Sequence, residues 1–346
     1  MKTSYNNEDV TLLLKDLTGV VEPVSLEERA ERVAKGEYVR SILIKEYEVS
    51  EEYRDIVNKY IPLFAKQTAL LVKALSEKLY EAKGKDMVLV DIVRAGIPVG
   101  ILVKRYLKVK YNIDTMHYGI SLVKGLDKEA MEFIINKHGA ENIQFIDGWT
   151  GKGTVTKEVK KSCEQFKGVD SGLAVLSDAI GVAKYTGTKQ DVYIPNSPLN
   201  ASITGLVSIT ILNEKYKGEG DFHGAAYLEE LEKIDQSKEF VDLISSYFDE
   251  IVNEDYKDKS EYGADDTEID RLSAKIQRDK KLLNPGINEA ARAVLRRQLE
   301  CLLVNNKEDE DCKALIELAE CKGIKIVEYP LKGYKAVSVA NDDYVR

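Results

Sequence analysis

The stretch FIDGWTGKGT, residues 145–154, sets two apolar residues and an acid ahead of a loop with three glycines in six positions. It also holds the chain's only tryptophan, Trp149. A hydrophobic run that ends in a glycine-rich loop and enters a helix is a junction at which α/β proteins hold anions. Backbone amides at the helix start point outward there, and glycine allows close approach. A second junction of this kind is DIVRAGIPVG, residues 91–100.

The flanking sequence repeats the alternation. MVLVDIV (87–93), TMHYGIS (115–121), NIQFID (142–147) and GLAVLS (172–177) read as strands. Between them GIPVGILVKRYLKV, KEAMEFIINKHG and TVTKEVKKSCEQF read as helices, preceded by helices at 25–35 and 51–82. Strand and helix alternating at this spacing predict a doubly wound, mostly parallel α/β sheet with ligands at the carboxyl ends of the strands. Further on, NPGINEAARAVLRRQLECLLV and the residues after it read helix, strand, helix, strand, a small α/β/α unit.

Charge supports a division. Residues 271–346 hold fifteen Lys and Arg against twelve Asp and Glu, a net +3, so the first 270 residues carry −12 of the chain's −9. The acidic stretch Asp249–Asp270 reads as a linker, giving domains at 1–250 and 271–346 joined by 251–270; a solvated helix face followed by a loop is the alternative for its first half. Nothing approaches the roughly 18 uninterrupted apolar residues of a membrane span, and MKTSYNNEDV lacks a signal-peptide core, so a cytoplasmic chain with no membrane partner is expected. Four cysteines without a CxxC pair and three histidines argue against zinc, and no metal ligands are assigned.

In the opening stretch, Asp147 ends a strand and is placed to accept hydrogen bonds from a diol such as ribose hydroxyls. The amides and hydroxyls of Thr150, Gly151, Lys152, Gly153 and Thr154 are candidates to surround one phosphate. The spacing is not that of a Walker A loop, since Gly148 and Lys152 are four apart and Gly153 follows the lysine. Asp178 either faces the same ligand or caps the following turn. DVYIPNSPLNAS (191–202) is either a rigid hood over a ligand or an ordinary connection. Cys163 falls on the apolar stripe Val155, Val159, Cys163, Phe166 and reads as buried packing rather than as a nucleophile with His117 or His138. His223 reads as structural.

These residues carry a resemblance. Asp147–Thr154 resembles the ligand loop of type I phosphoribosyltransferases, with Ile146 in place of the family's first acid and Lys152 where glycine is usual. VRAGIPVG (93–100) resembles the same family's pyrophosphate loop. HYGISLVKG, LAVLSD, TGTKQDVYIPNSPLNASITGLVS and FHGAAYLEEL extend the likeness to phosphoribosyltransferase-like proteins of tellurite-resistance gene clusters. Some of these are labelled StiP and described as cysteine proteases, and they end in a Pelota-like RNA-binding domain.

The resemblance implies phosphoribosyl transfer to or from a nucleobase-like compound. Arg94 with the Ala95 and Gly96 amides would then neutralise pyrophosphate, Asp147 would hold the ribose, and Mg²⁺ would arrive on the substrate. Tyr118 and KGLDKEAM would sit where related enzymes carry a lid. GINEAAR (286–292) resembles a kink-turn RNA motif, which would give RNA contacts to Gly286, Asn288, Glu289 and Arg292. Its alternative is a capped helix whose arginines solvate one face. The resemblance leaves open a ligand-sensing RNA regulator, a cysteine protease and a homodimer.

Overall fold

A computed structural model describes residues 1–254, 256, 258, 260, 261 and 267–341. The chain opens with two short strands, β1 (Thr11–Leu12) and β2 (Lys15–Asp16), and helix α1 (Leu26–Ala34). Helix α2 (Glu51–Lys83) starts where the Ser50 hydroxyl accepts from the Tyr53 amide at 3.2 Å, with Glu51 and Glu52 favourably placed at its positive end. Then β3 (Val88–Ile92), α3 (Gly96–Tyr111), β4 (His117–Ile120), α4 (Lys128–His138), β5 (Ile143–Ile146), α5 (Thr154–Cys163) and β6 (Leu173–Ser177) alternate as the apolar periodicity predicts. After β7 (Tyr185–Thr188) come β8 (Gly224–Ala225), α6 (Ser237–Ser245) and α7 (Phe248–Ile251).

The main sheet has six strands in the order β1-β4-β3-β5-β6-β7, and every pair is parallel. Side chains alternate across it. Val88, Val90 and Ile92 of β3 pack on the α4 and α5 side with Met131, Ile134, Val159 and Cys163. Met87 and Leu89 turn to α2 and α3. Asp91 shares that second face and hydrogen-bonds His117 of the neighbouring strand, both fully buried. Burial pushes Asp91 up to about 6, against the opposing pull of His117. Helix α3 crosses this pair at Gly100, where a Cβ would lie 2.2 Å from the Asp91 carboxylate and 2.3 Å from the imidazole. The pair leaves room for no side chain there.

The C-terminal half adds α8 (Glu268–Ile276), β9 (Leu283–Pro285), α9 (Ile287–Arg296), β10 (Leu299–Val304), α10 (Glu310–Cys321), β11 (Ile326–Glu328) and β12 (Ala336–Ala340). Its four-stranded sheet has the order β11-β10-β12-β9; β10 and β11 run parallel and the other pairs antiparallel. Leu302 and Val304 face α9 and α10, while Leu303 faces α8. Strands β9 and β12, and the helices α6 to α8, were not read from the sequence. Eight of the twenty linker residues, 255, 257, 259 and 262–266, lie outside the described residues; of the others, Ile251 is buried, Asp258 and Ser260 bond Thr188, and α8 begins at Glu268. No helix among the described residues is long and apolar enough to cross a membrane.

The two halves share one core. Ile287, Ala291, Leu315 and Leu318 belong to the same apolar cluster as Phe64, Val72 and Leu75 of α2. Lys59 and Tyr60 bond Glu317 at 2.7 Å each. The Asp191 carboxylate, in the segment after β7, caps α9. It accepts from the amides of Ile287 at 2.9 Å and Lys335 at 2.8 Å.

Replacing Asp191 by Ala strands the buried Ile287 N–H and the half-buried Lys335 N–H. Asp191→Ala should therefore lower the urea-unfolding free energy at pH 8 by about 2–5 kcal/mol. Removal of the exposed Glu230 side chain is the comparison. A loss no larger than that of Glu230→Ala would show that the cap does not hold the halves together.

Candidate functional site

At the end of β5 the chain turns into the glycine loop. Asp147 is buried, and its carboxylate accepts from the Gly148 amide at 2.8 Å. Desolvation pushes its carboxyl up to about 7. The Thr150 hydroxyl and amide turn back into the fold. The hydroxyl donates to Asp178 at 2.5 Å and the amide to Ser177 O at 3.0 Å. Asp178 is fully buried and also accepts from the Ala183 amide. Its role here is to hold the loop, and the expected Thr150 hydroxyl contact to phosphate is not available in this arrangement.

The C-terminal half clamps the rest of the loop. Lys152, expected beside a phosphate, instead donates to Lys280 O at 3.2 Å and Leu283 O at 2.8 Å. Tyr334 donates to Gly151 O at 3.0 Å, and the Trp149 indole to Glu289 at 3.1 Å. A Cβ on Gly151 would lie 2.6 Å from Cγ of Glu289, so this close approach requires glycine. What stays open is a pocket lined by Ala95, Asp147, Trp149 and residues 150–156, closed on the other side by Pro285, Glu289 and Arg292. Gly96 lies outside it, packed on the Ile146 backbone. The Tyr118 hydroxyl bonds His138 at 2.9 Å, and Asp127 caps α4, so the segment expected as a lid is built into a helix start.

The neighbouring cleft is cationic. Arg94 is buried, forked onto Glu46 and bonded to Val207 O at 2.9 Å. It therefore arrives already paired, where the sequence reading left it free. Arg40, Arg292 and Arg296 line the same cleft, with Arg29, Lys281 and Arg297 on its outer part. Two carboxylates face them: Glu46 on Arg94, and Glu289 at 3.3 Å from Arg292. Desolvation, aided by neighbouring guanidinium groups, depresses the pKa of both Arg40 and Arg296. Burial opposes ionisation of Glu289, yet Arg292 and the Trp149 N–H outweigh it and hold its carboxyl below its usual range. Crowded, partly dehydrated guanidinium groups of this kind are relieved by an incoming oxyanion.

The RNA motif is used differently from its sequence reading. Asn288 is buried, its Oδ1 accepting from the Ile194 amide and its Nδ2 donating to Val192 O, each at 2.8 Å. Gly286 is buried behind it and donates its amide to Ala336 O. Both side-chain groups of Asn288 are thus spent on docking the halves, and neither reaches a solvent-side ligand. Of the four expected RNA residues, Glu289 and Arg292 line the cleft.

Sequence reasoning missed Arg40 as a site residue, read Arg296 only as part of the arginine face of the helix that carries Arg292, and singled out the 191–202 loop without assigning roles to its residues. Arg40 carries no local signal, because only the fold brings it to Arg94. Cys163 is buried in the α4–α5 core, as its helical spacing predicts, and burial pushes its thiol up to about 12. The thiols of Cys301, Cys312 and Cys321 are also raised, chiefly by desolvation. The three imidazoles bond Asp91 and Asp9 O, Tyr118, and Ser121; no hydrogen bond joins a histidine to a cysteine among the described residues.

The family described as "Tellurite-like stress resistance cysteine protease StiP" matches residues 3–245, and the "PELOTA RNA binding domain" matches residues 265–342. The curated "Cysteine protease StiP" of Acinetobacter baylyi is 28% identical over 360 residues, covering 97% of this chain and 93% of that protein. A solved hypoxanthine-guanine phosphoribosyltransferase of Bacillus anthracis aligns with 52% of this chain and 97% of its own, at 14% identity. Its TM-score of 0.28 is too low to bear on fold or activity. These matches overturn the expectation of phosphoribosyl transfer. The family and the curated relative carry the name of a protease, a hydrolase.

Two measurements probe this site. Thiols pushed above their ordinary range hold little thiolate at neutral pH, so iodoacetamide at pH 7 should label the native chain slowly and the urea-unfolded chain at all four cysteines. Fast labelling of one native thiol would identify an activated nucleophile. For Asp147, a folded pKa raised from 3.8 to about 7 removes stability as pH rises through that interval. Asp147→Asn should therefore match wild type at pH 4 and exceed it at pH 8; equal unfolding free energies at both pH values would contradict a desolvated carboxylate.

Proposed function

The chain belongs to the StiP family of tellurite-like stress resistance proteins, and from that premise we propose that it acts in stress resistance by binding RNA in the arginine cleft between its halves. The observation that carries this reading is the cleft's charge. Arg29, Arg40, Arg94, Lys281, Arg292, Arg296 and Arg297 face it, against Glu289 and the Glu46 that pairs with Arg94. The match to an RNA-binding domain over 265–342 supports it from the side of α9, which contributes Arg292 and Arg296.

The physical basis is phosphate neutralisation, which depends on charge and not on base identity. A net charge of −9 on the whole chain keeps the remaining surface unattractive to nucleic acid and confines binding to this cleft. Trp149 of the glycine loop lines the inner part of the cleft. Mg²⁺ would enter on the phosphates of the ligand.

Proteolysis is a second reading, favoured by the printed description of the family and of the Acinetobacter relative. It requires one of four buried or half-buried cysteines to become a nucleophile, and the alkylation experiment above decides that point.

For the RNA reading, a single-stranded 12-mer should bind with a salt dependence of about −0.7 per phosphate neutralised. Arg292→Ala and Arg297→Ala should each weaken binding and lower the slope by about that amount. Binding that is absent at low salt, or unaltered by both substitutions, would remove the cleft as the RNA site.

A further inference from the structure

Asn196, Ser197 and Asn200 lie in the segment that carries the Asp191 cap, and they are 1–3% exposed. All three line the inner part of the cleft together with Arg40, Arg94 and Arg296. Among the described residues, Asn196 Nδ2 and Oδ1, the Ser197 hydroxyl and Asn200 Nδ2 have no hydrogen-bond partner. The Asn200 Oδ1 accepts from the Arg296 guanidinium, which fixes that guanidinium at the cavity wall. Thr210 bonds Arg40 at 3.5 Å on the opposite side.

Buried polar groups are normally satisfied, and leaving several unpaired in one wall is costly. Here residues carrying three donor groups and one acceptor line a space flanked by Arg40 and Arg296, which have no carboxylate partner among the described residues, and by Arg94, which pairs with Glu46. The arrangement complements a group richer in acceptor oxygens than any side chain in the wall.

Resting on the RNA reading, we propose that this inner end is a subsite for a phosphomonoester, the terminal phosphate of an RNA chain or of a small phosphorylated compound. A phosphomonoester presents three terminal oxygens and close to two negative charges. Arg40 and Arg296 neutralise the charge. The Ser197 hydroxyl and the Asn196 and Asn200 amides donate to the oxygens, and Asn196 Oδ1 accepts from a neighbouring hydroxyl of the ligand. An internal phosphodiester carries one charge and chain on both sides, so it fits the outer groove and not this closed end. Binding is non-covalent, and no bond of the ligand is made or broken.

The experiment compares 5′-phosphorylated and 5′-hydroxyl versions of one 12-mer RNA, with inorganic phosphate as a third probe in a thermal-shift assay. Wild type should favour the phosphorylated RNA by about tenfold or more, the worth of charge-assisted bonds at one phosphate. The double variant Asn196→Ala with Ser197→Ala should abolish that preference and bind hydroxyl RNA within about twofold of wild type. Its melting temperature should be no lower, because the groups removed were unpaired. Arg297→Ala should weaken both RNAs equally.

If neither RNA binds but phosphate raises the melting temperature of wild type and not of the double variant, the subsite stands and the RNA reading falls. Equal affinity of wild type for both RNA ends overturns the subsite. So does a preference that survives the double substitution, or a lack of response to phosphate together with no RNA binding.

Discussion

The Asp191 carboxylate is the point on which the site's architecture depends. It sits in the N-terminal part of the fold, in the segment after β7, buried, and accepts from the amides of Ile287 and Lys335 in the C-terminal part. A helix start needs acceptors for its free N–H groups, and α9 takes its acceptor from another part of the fold. Asn288, one residue further on, continues the same seam to Val192 and Ile194. Through these bonds the arginines of α9 are brought opposite Arg94 and the glycine loop, and the segment bearing Asn196 and Ser197 is pinned at one end.

Electrostatics and packing oppose each other at that seam. Apolar contact between α2 and the helices α9 and α10 draws the halves together. The same closure brings Arg40, Arg94, Arg292 and Arg296 around one cleft, where they repel and lose water. Glu46 and Glu289 offset part of this, each by pairing with one arginine. The shared core holds the unbalanced cations in place, so the chain is preorganised for an anion that its own side chains do not supply.

The corrections have one cause in common. Thr150, Lys152 and Asn288 are polar residues near a glycine loop or a helix start, which is the composition of a ligand site. In the folded chain all three are hydrogen-bonded to other parts of the protein. A local motif specifies which donors and acceptors are present, and it is silent on whether a ligand or a second domain will meet them.

Periodicity in the sequence was enough to establish the alternating α/β order, the starts of α2 to α5, the parallel main sheet and the burial of Cys163. Each rests on local geometry, since a strand or helix buries one face at a spacing that can be read residue by residue. The two glycine loops were also legible as junctions from strand to helix, but the closure of the pocket by Pro285, Glu289 and Arg292 was not. The antiparallel partners β9 and β12, the shared core, the Asp191 cap and the arginine cleft were decided by tertiary structure alone. Arg40, Arg94, Asn196 and Arg296 are far apart in the chain, and neither their convergence nor the missing partners of Asn196 leave a local trace. Burial and charge compensation are properties of the assembled fold, and only the folded chain shows which cations and amides have been left without an answer.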